Sequence, residues 1–255
     1  MGNLLQSGEG LEELIGSGYR IIQSRSGYRY SLDAVLLADF VSSFPGQLAL
    51  ELGMGNGAAS LLLARRRQEL RIVGIEIQER LASQAQRSVI INGLGGRMAI
   101  LVADWRNAPL LFAPCCFDLV FANPPFRSVG TGKMSPRGEV ALAKHGPRGG
   151  LEGLARAASG VLKAKGTLAL IYHANSLVPL VVSLHLANLE PKCLRLVHSF
   201  SGSEAEFALV GARKEGKAGL RVLPPLILYV GEGNRPSPEL EAIYGSFEAA
   251  REGSP

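Results

Sequence analysis

Cysteine is scarce in this chain, and no apolar run is long enough to be taken for a membrane span. The three cysteines, Cys115, Cys116 and Cys193, are odd in number and show no C-x-x-C spacing. That excludes a disulfide framework and a cysteine zinc site, so reduced thiols and no metal are expected. The start, MGNLLQSGEGLEEL, lacks a basic region followed by an apolar stretch, so no secretory leader is expected. The most apolar segment, Leu177 to Leu189, is interrupted by Ser183, His185 and Asn188 and is too short to cross a bilayer. A cytoplasmic protein without a membrane partner follows as the expectation. Internal repeats and low-complexity tracts are also missing. The net charge of +5 is a small surplus, which permits a nucleic-acid partner without demanding one. The sequence sets no oligomeric state. What is present is a 47% hydrophobic composition, enough for a full globular core.

The apolar residues fall into short runs that alternate with helical patterns. Residues 1–17 read as a frayed leader, and Tyr19–Gln23 with Tyr28–Tyr30 read as a hairpin about Ser24-Arg25-Ser26-Gly27. Ser31 then precedes LDAVLLADFV, a helix with a good N-cap candidate. Strands are predicted at 48–52, 71–77, 98–104, 117–123, 166–172, 194–200 and 206–212, with helices between most of them. Such alternation predicts an α/β fold, a Rossmann-like, mostly parallel sheet with helices on both faces. The last two strands are joined too tightly for a crossover helix, so the seven-stranded sheet should end in an antiparallel hairpin. One more extended run, 226–230, follows Pro224-Pro225, and a helix from about Pro238 to Ala250 closes the chain. The expected organisation is a leader and hairpin over 1–30 and a single domain over 31–250.

Between the first core strand and its helix lies Glu51-Leu52-Gly53-Met54-Gly55-Asn56-Gly57. Glycines in such a turn reach unusual dihedrals and let a ligand approach the backbone. Alone the turn admits a dinucleotide site, since Gly53, Gly55 and Ala58 satisfy G-x-G-x-x-A, or a plain structural turn. Its neighbours favour a different cofactor. A carboxylate at Glu51 would repel a pyrophosphate but suits a cationic amino-acid moiety. Glu76 closes the second strand where an acid can accept ribose hydroxyls. Asp104 closes the third and can accept from an adenine amine, with Trp105 beside it to stack on the ring. Three acids at successive strand ends point to S-adenosyl-L-methionine.

The fourth strand ends in Asn123-Pro124-Pro125-Phe126. The exocyclic amine of a base is a poor nucleophile because its lone pair is delocalised into the ring. Accepting both amine hydrogens favours a tetrahedral nitrogen. The Asn123 side-chain oxygen is one acceptor and the Pro124 carbonyl a second. Pro125 stiffens the turn by restricting the residue before it. Phe126 offers a face for the base, a contact worth about 1–3 kcal/mol.

These motifs resemble the class I S-adenosylmethionine-dependent amino-methyltransferases with an (N/D)-P-P-(Y/F/W) tetrapeptide. With IIQSRSGYRYSLDAVLLADF, GIEIQERLASQAQRSV and RVLPPLILY added, the resemblance spans about residues 19 to 245. It then resembles the bacterial family that methylates N6 of the anticodon-adjacent adenine in a valine tRNA. The resemblance implies that Glu51, Gly53, Gly55 and Gly57 surround the methionine part of the cofactor. It places Glu76 at the ribose, Asp104 and Trp105 at the adenine, and Ser31 and Asp33 where the cofactor site closes. Asn123, Pro124, Pro125 and Phe126 would form the catalytic pocket. RNA, and tRNA in particular, is the expected partner. Arg127, Lys133, Arg137, Lys144 and Arg148, on the glycine-rich loop that follows, are candidate phosphate contacts. Arg127 stands where several guanine-N2 relatives carry histidine. The same tetrapeptide serves guanine N2 in ribosomal RNA and glutamine amides in proteins, and a catalytically silent RNA-binding module is the non-enzymatic alternative.

Overall fold

The computed structural model describes residues 4–124, 150–231 and 233–252. At its centre stand the runs that are apolar on both faces: β3 (Leu48–Leu52), β4 (Arg71–Glu76) and β6 (Phe117–Ala122), almost wholly buried. β5 (Met98–Val102) lies at the sheet edge, where Leu101 and Val102 are exposed. β7 (Leu162–His173), β8 (Leu189–His198) and β9 (Ala205–Lys214) complete the set of long strands. Their spatial order is β5-β4-β3-β6-β7-β9-β8. The first five run parallel, and β9 is antiparallel to both β7 and β8.

This is the doubly wound arrangement that the alternation predicted. Alternate side chains of each strand enter opposite cores. Ala49, Leu119 and Phe121 join one, Leu50, Val120 and Ala122 the other. The first core is covered by α1 (Leu32–Ser42), α2 (Ala58–Arg66), α3 (Glu79–Ile91) and α7 (Pro238–Glu252). The second is covered by α4 (Ala108–Leu111), α5 (Gly150–Val161) and α6 (Leu177–Leu186). The Arg65-Arg66-Arg67 cluster is structural. Arg65 lies over the Tyr19 ring, Arg66 pairs with Asp39, and Arg67 donates to the carbonyls of Phe44 and Gly46.

The sheet is wider than expected. Two-residue strands β10 (Arg221–Val222) and β11 (Leu226–Ile227) lie parallel along the outer edge of β8, giving nine strands among the described residues. Pro224 and Pro225 lack the N–H groups a ladder needs, so pairing stops between them and resumes. The run at 226–230 is likewise divided. Its second half, β12 (Tyr229–Val230), leaves β8 and pairs with β13 (Arg235–Pro236).

The N-terminal expectation needs a larger correction. The strand predicted at Tyr19–Gln23 exists as β2 (Arg20–Ser24), but its partner is β1 (Glu9–Glu13), upstream in the segment read as a leader. Residues 28–30 form no strand. The hairpin is held by distant groups. Leu14 and Ile21 are fully buried in the first core, and the Ile22 N–H donates to Ser88 Oγ at 2.9 Å. Glu9, with a side chain only 1% exposed, accepts from Arg87 at 2.6 and 2.8 Å and from Gln84 at 3.0 Å. The Arg87 guanidinium holds the Glu9 carboxyl down to about 2, against the upward push of burial. A depressed carboxyl contributes stability above its unfolded value of 4.5 and loses it as pH falls toward 2. Arg87→Ala strands that carboxylate and should cost about 3 kcal/mol in urea unfolding at pH 7. Glu9→Gln, which keeps the Gln6 and Gln84 contacts possible, should cost less.

Candidate active site

Strand order reverses between β3 and β6: β4 and β5 lie on one side, β7 on the other. Ligands of open α/β sheets sit in the crevice that such a reversal leaves at the carboxyl ends of the strands. Both sequence motifs emerge there. Glu51 is in register with Phe121, so Gly53 and Asn123 follow at the same level on neighbouring strands.

The glycine turn is pinned to β4. Gly53 and Met54 donate to the Ile75 carbonyl at 2.9 and 3.0 Å, and the Gly55 N–H donates to Glu76 Oε2 at 2.8 Å. Gly57, at φ +85°, begins α2, where a Cβ would meet Ala85 Cβ at 3.2 Å. At Gly55, with φ +59°, a Cβ would come within 3.3 Å of the Tyr28 ring. The phenol of Tyr28 therefore covers the turn. The sequence reading missed this residue and assigned it to a strand.

Three carboxylates converge on the same place. Glu51, Glu76 and Asp33 are 2%, 5% and 8% exposed, and among the described residues none of them forms an ion pair. Burial pushes Glu51 up to about 8, opposed by the Ser60 hydroxyl that donates to it and aided by the charge of Glu76. Burial also raises Glu76, against the pull of the Gln78, Gly55 and Ile77 amides. Tyr28 is 36% exposed as a residue, yet desolvation of its phenol raises it first, followed by the charges of Asp33, Glu51 and Glu76. Buried carboxyl groups without cations suit a positively charged ligand, which stabilises their ionised form.

Asp104 does not stand free. It caps the short turn Trp105–Asn107 and accepts from the Arg106 N–H at 3.0 Å and from its guanidinium Nε at 2.7 Å. That pairing lowers the Asp104 carboxyl. Trp105 is half-buried beside the glycine turn, 3.9 Å from where a Gly53 Cβ would lie, and packs on the second core.

The end of β6 meets the start of α1. Asn123 Nδ2 donates to Asp33 Oδ2 at 2.8 Å. Asp33 Oδ1 accepts from the Ser31 hydroxyl and from the Ala34 N–H at 3.1 Å. Ser31 and Asp33 thus join the tetrapeptide as well as the cofactor crevice. Asn123 Oδ1 is buried and has no hydrogen-bond partner among the described residues. Pro124 is buried. Pro125, Phe126, Arg127, Lys133, Arg137, Lys144 and Arg148 lie outside the described residues. His173 ends β7 with its ring stacked on Phe207 at 5.3 Å. A shallow apolar depression lined by Val181, Leu186, Pro191 and Leu220 sits on the α6–β8 edge, away from the crevice.

The strand order, the glycine turn and the acids after it define the class I methyltransferase fold. A methyltransferase-domain family model matches residues 49–134. The tRNA1(Val) (adenine(37)-N6)-methyltransferase of Porphyromonas gingivalis is 31% identical over 159 residues, which cover 60% of this chain and 62% of that protein. The protein of the same name from Shewanella halifaxensis is 28% identical over 200 residues, 78% of this chain and 74% of that one. A predicted O-methyltransferase from Agrobacterium tumefaciens superposes with a TM-score of 0.68 at 23% identity, covering 84% and 96% of the two chains. The T. thermophilus 16S rRNA N2 G1207 methyltransferase, solved with AdoMet and guanosine, superposes at 0.53 with 21% identity, over 81% of this chain and 50% of that chain. No helix among the described residues is long and apolar enough to cross a membrane.

Proposed function

We propose that this chain transfers the methyl group of S-adenosyl-L-methionine to the exocyclic N6 amine of an adenine in RNA. The proposed acceptor is the anticodon-adjacent adenine of a valine tRNA, and the proposed compartment is the cytoplasm. The observation that carries the reading is the buried Asn123 Oδ1, held at the end of β6 beside a crevice of carboxyl groups, with neither it nor they paired among the described residues. The names of the relatives support the choice of adenine and of tRNA.

The crevice fits the cofactor in charge. When bound, the cofactor supplies an electrophilic methyl group on a cationic sulfur. Glu51 would accept from its ammonium group, and Glu76 from its ribose hydroxyls. The Glu76 oxygens already take backbone N–H groups, from Gly55 and Gln78, and acceptor capacity remains for a ribose hydroxyl. Gly53, Gly55 and Gly57 would leave room for its backbone-side edge. Trp105 would lie against the adenine, and Asp104 would accept its amine using the capacity that Arg106 leaves. Asn123 Oδ1 and the Pro124 carbonyl would each accept one hydrogen of the target amine. Phe126 would stack on the base, with Pro125 stiffening the turn. As the new N–C bond forms, the methyl's bond to sulfur would break with its electron pair left on the product S-adenosyl-L-homocysteine, and the methylated nitrogen would shed a proton to water, so no strong base is required. Placement of the amine dominates the rate. Arg127, Lys133, Arg137, Lys144 and Arg148 would contact phosphates.

The test is methyl transfer from labelled cofactor to total tRNA from a strain lacking this gene, followed by nucleoside mass spectrometry. A new N6-methyladenosine peak is expected, and fractionation then names the acceptor. Cofactor binding without transfer to tRNA would redirect the search to guanine N2 in ribosomal RNA, then to glutamine in a release factor. A chain that bound RNA but no cofactor would be a silent RNA-binding module.

A further inference from the structure

The contact between Asn123 and Asp33 has a polarity that matters. A carboxamide is nearly symmetric in shape but not in chemistry: one end accepts hydrogen bonds, the other donates two. If the NH2 end faced the target amine, donors would oppose donors and transfer would fail. Something must hold the amide the right way round.

Asp33 is buried and, as a carboxylate, can only accept. Its Oδ1 is taken by Ser31 and by the Ala34 N–H, which fixes its rotamer. Its Oδ2 faces Asn123. Turning the amide over would set two acceptor oxygens against each other at about the present 2.8 Å. The NH2 end is therefore locked on Asp33, and Oδ1 is forced away from it, where it lies buried with no partner among the described residues. The carboxylate also polarises the amide and increases the negative charge on Oδ1. That favours a target nitrogen that becomes positive as it is methylated. From this geometry we infer that Asp33 is a positioning residue for amine methylation, acting through Asn123, with Ser31 holding it in place. The inference rests on the reading of the site as an amine methyltransferase.

A donor–acceptor exchange tests it. Steady-state kinetics on tRNA and calorimetric cofactor binding would be measured for Asp33→Asn, Asn123→Asp and the double variant in the full chain. Asp33→Asn no longer dictates the amide orientation and should lower kcat by about tenfold to hundredfold. Asn123→Asp sets two carboxylates together and should lose at least as much. In the double variant the introduced amide donates to the introduced carboxylate, which presents an oxygen to the target whichever way it turns. Its kcat should rise about tenfold above either single variant. A purely structural role for Asp33 would not produce that recovery. The inference is overturned if Asp33→Asn leaves kcat within about twofold, or if the double variant is no better than the single ones. It is also overturned if Asp33→Asn weakens cofactor binding while kcat holds.

A second readout needs no turnover. The Asn123 side-chain NH2 resonances, assigned by their absence in Asn123→Asp, should exchange slowly in the unmutated chain and quickly in Asp33→Asn. Fast exchange in the unmutated chain would sink the inference whatever the substrate proves to be. Protected resonances with no N6-methyladenosine would sink the adenine reading alone.

Discussion

Asn123→Ala is expected to lower turnover by about 100- to 1,000-fold while cofactor binding stays within about twofold. The asymmetry follows from where the side chain points. Its nitrogen is spent on Asp33, and its oxygen is buried without a hydrogen-bond partner among the described residues. An acceptor aimed at developing charge acts mainly in the transition state, so its loss falls on kcat rather than KM. The β3–β6 ladder that positions the glycine turn ends before Asn123 and makes no use of its side chain. Cofactor affinity therefore has no reason to change. Measuring kcat on tRNA beside a calorimetric dissociation constant decides the matter. Near-normal turnover in Asn123→Ala would remove the tetrapeptide from the chemistry.

Cofactor affinity should rise about tenfold per pH unit between pH 6 and 8, then level off. The cause is Glu51, pushed up to about 8 by burial in a crevice it shares with Glu76. At neutral pH the empty site holds this carboxyl largely protonated. A cationic ammonium group stabilises its ionised form, so binding must expel a proton, and lower pH opposes it. The same group works against the unliganded fold at high pH. Its folded value lies above the unfolded 4.5, so its contribution is complete below 4.5 and is lost as pH rises through 8. That loss amounts to at most about 5 kcal/mol. Glu51→Gln should flatten the pH dependence, weaken binding at pH 8 by more than about tenfold, and make the unliganded protein more stable there. Calorimetry in two buffers of different ionisation heat reads the proton release directly. Binding that is independent of pH, with no proton released, would place the cofactor's ammonium group elsewhere.

Much of the sheet was legible because its signal is local. LALEL, RIVGIE and FDLVFA are too short and too apolar to be anything but buried strands, and the glycine turn and tetrapeptide follow directly from two of them. What escaped was decided at long range. Glu9–Glu13 reads as a polar leader because the groups that make Glu9 tolerable, Gln84 and Arg87, lie on α3. Tyr28 escaped because its environment is built by acids from three separate segments. The two-residue strands on either side of Pro224-Pro225 have no pattern of their own and exist only because β8 offers an open edge. The Asp104–Arg106 pair, by contrast, sits two residues apart and was available to a closer reading.

The segment that folds over the crevice is made before the groups that hold it. Its anchors come much later in the chain: Ser88 for Ile22, Arg87 for Glu9, and Asn123, 90 residues on, for Asp33. During synthesis the N-terminal portion must therefore wait, with Leu14 and Ile21 lacking the core they will enter, until the central strands have left the ribosome. Contacts of such separation are slow to close. The glycine turn and the Asn123 amide thus reach their final arrangement only once contacts across many tens of residues have closed.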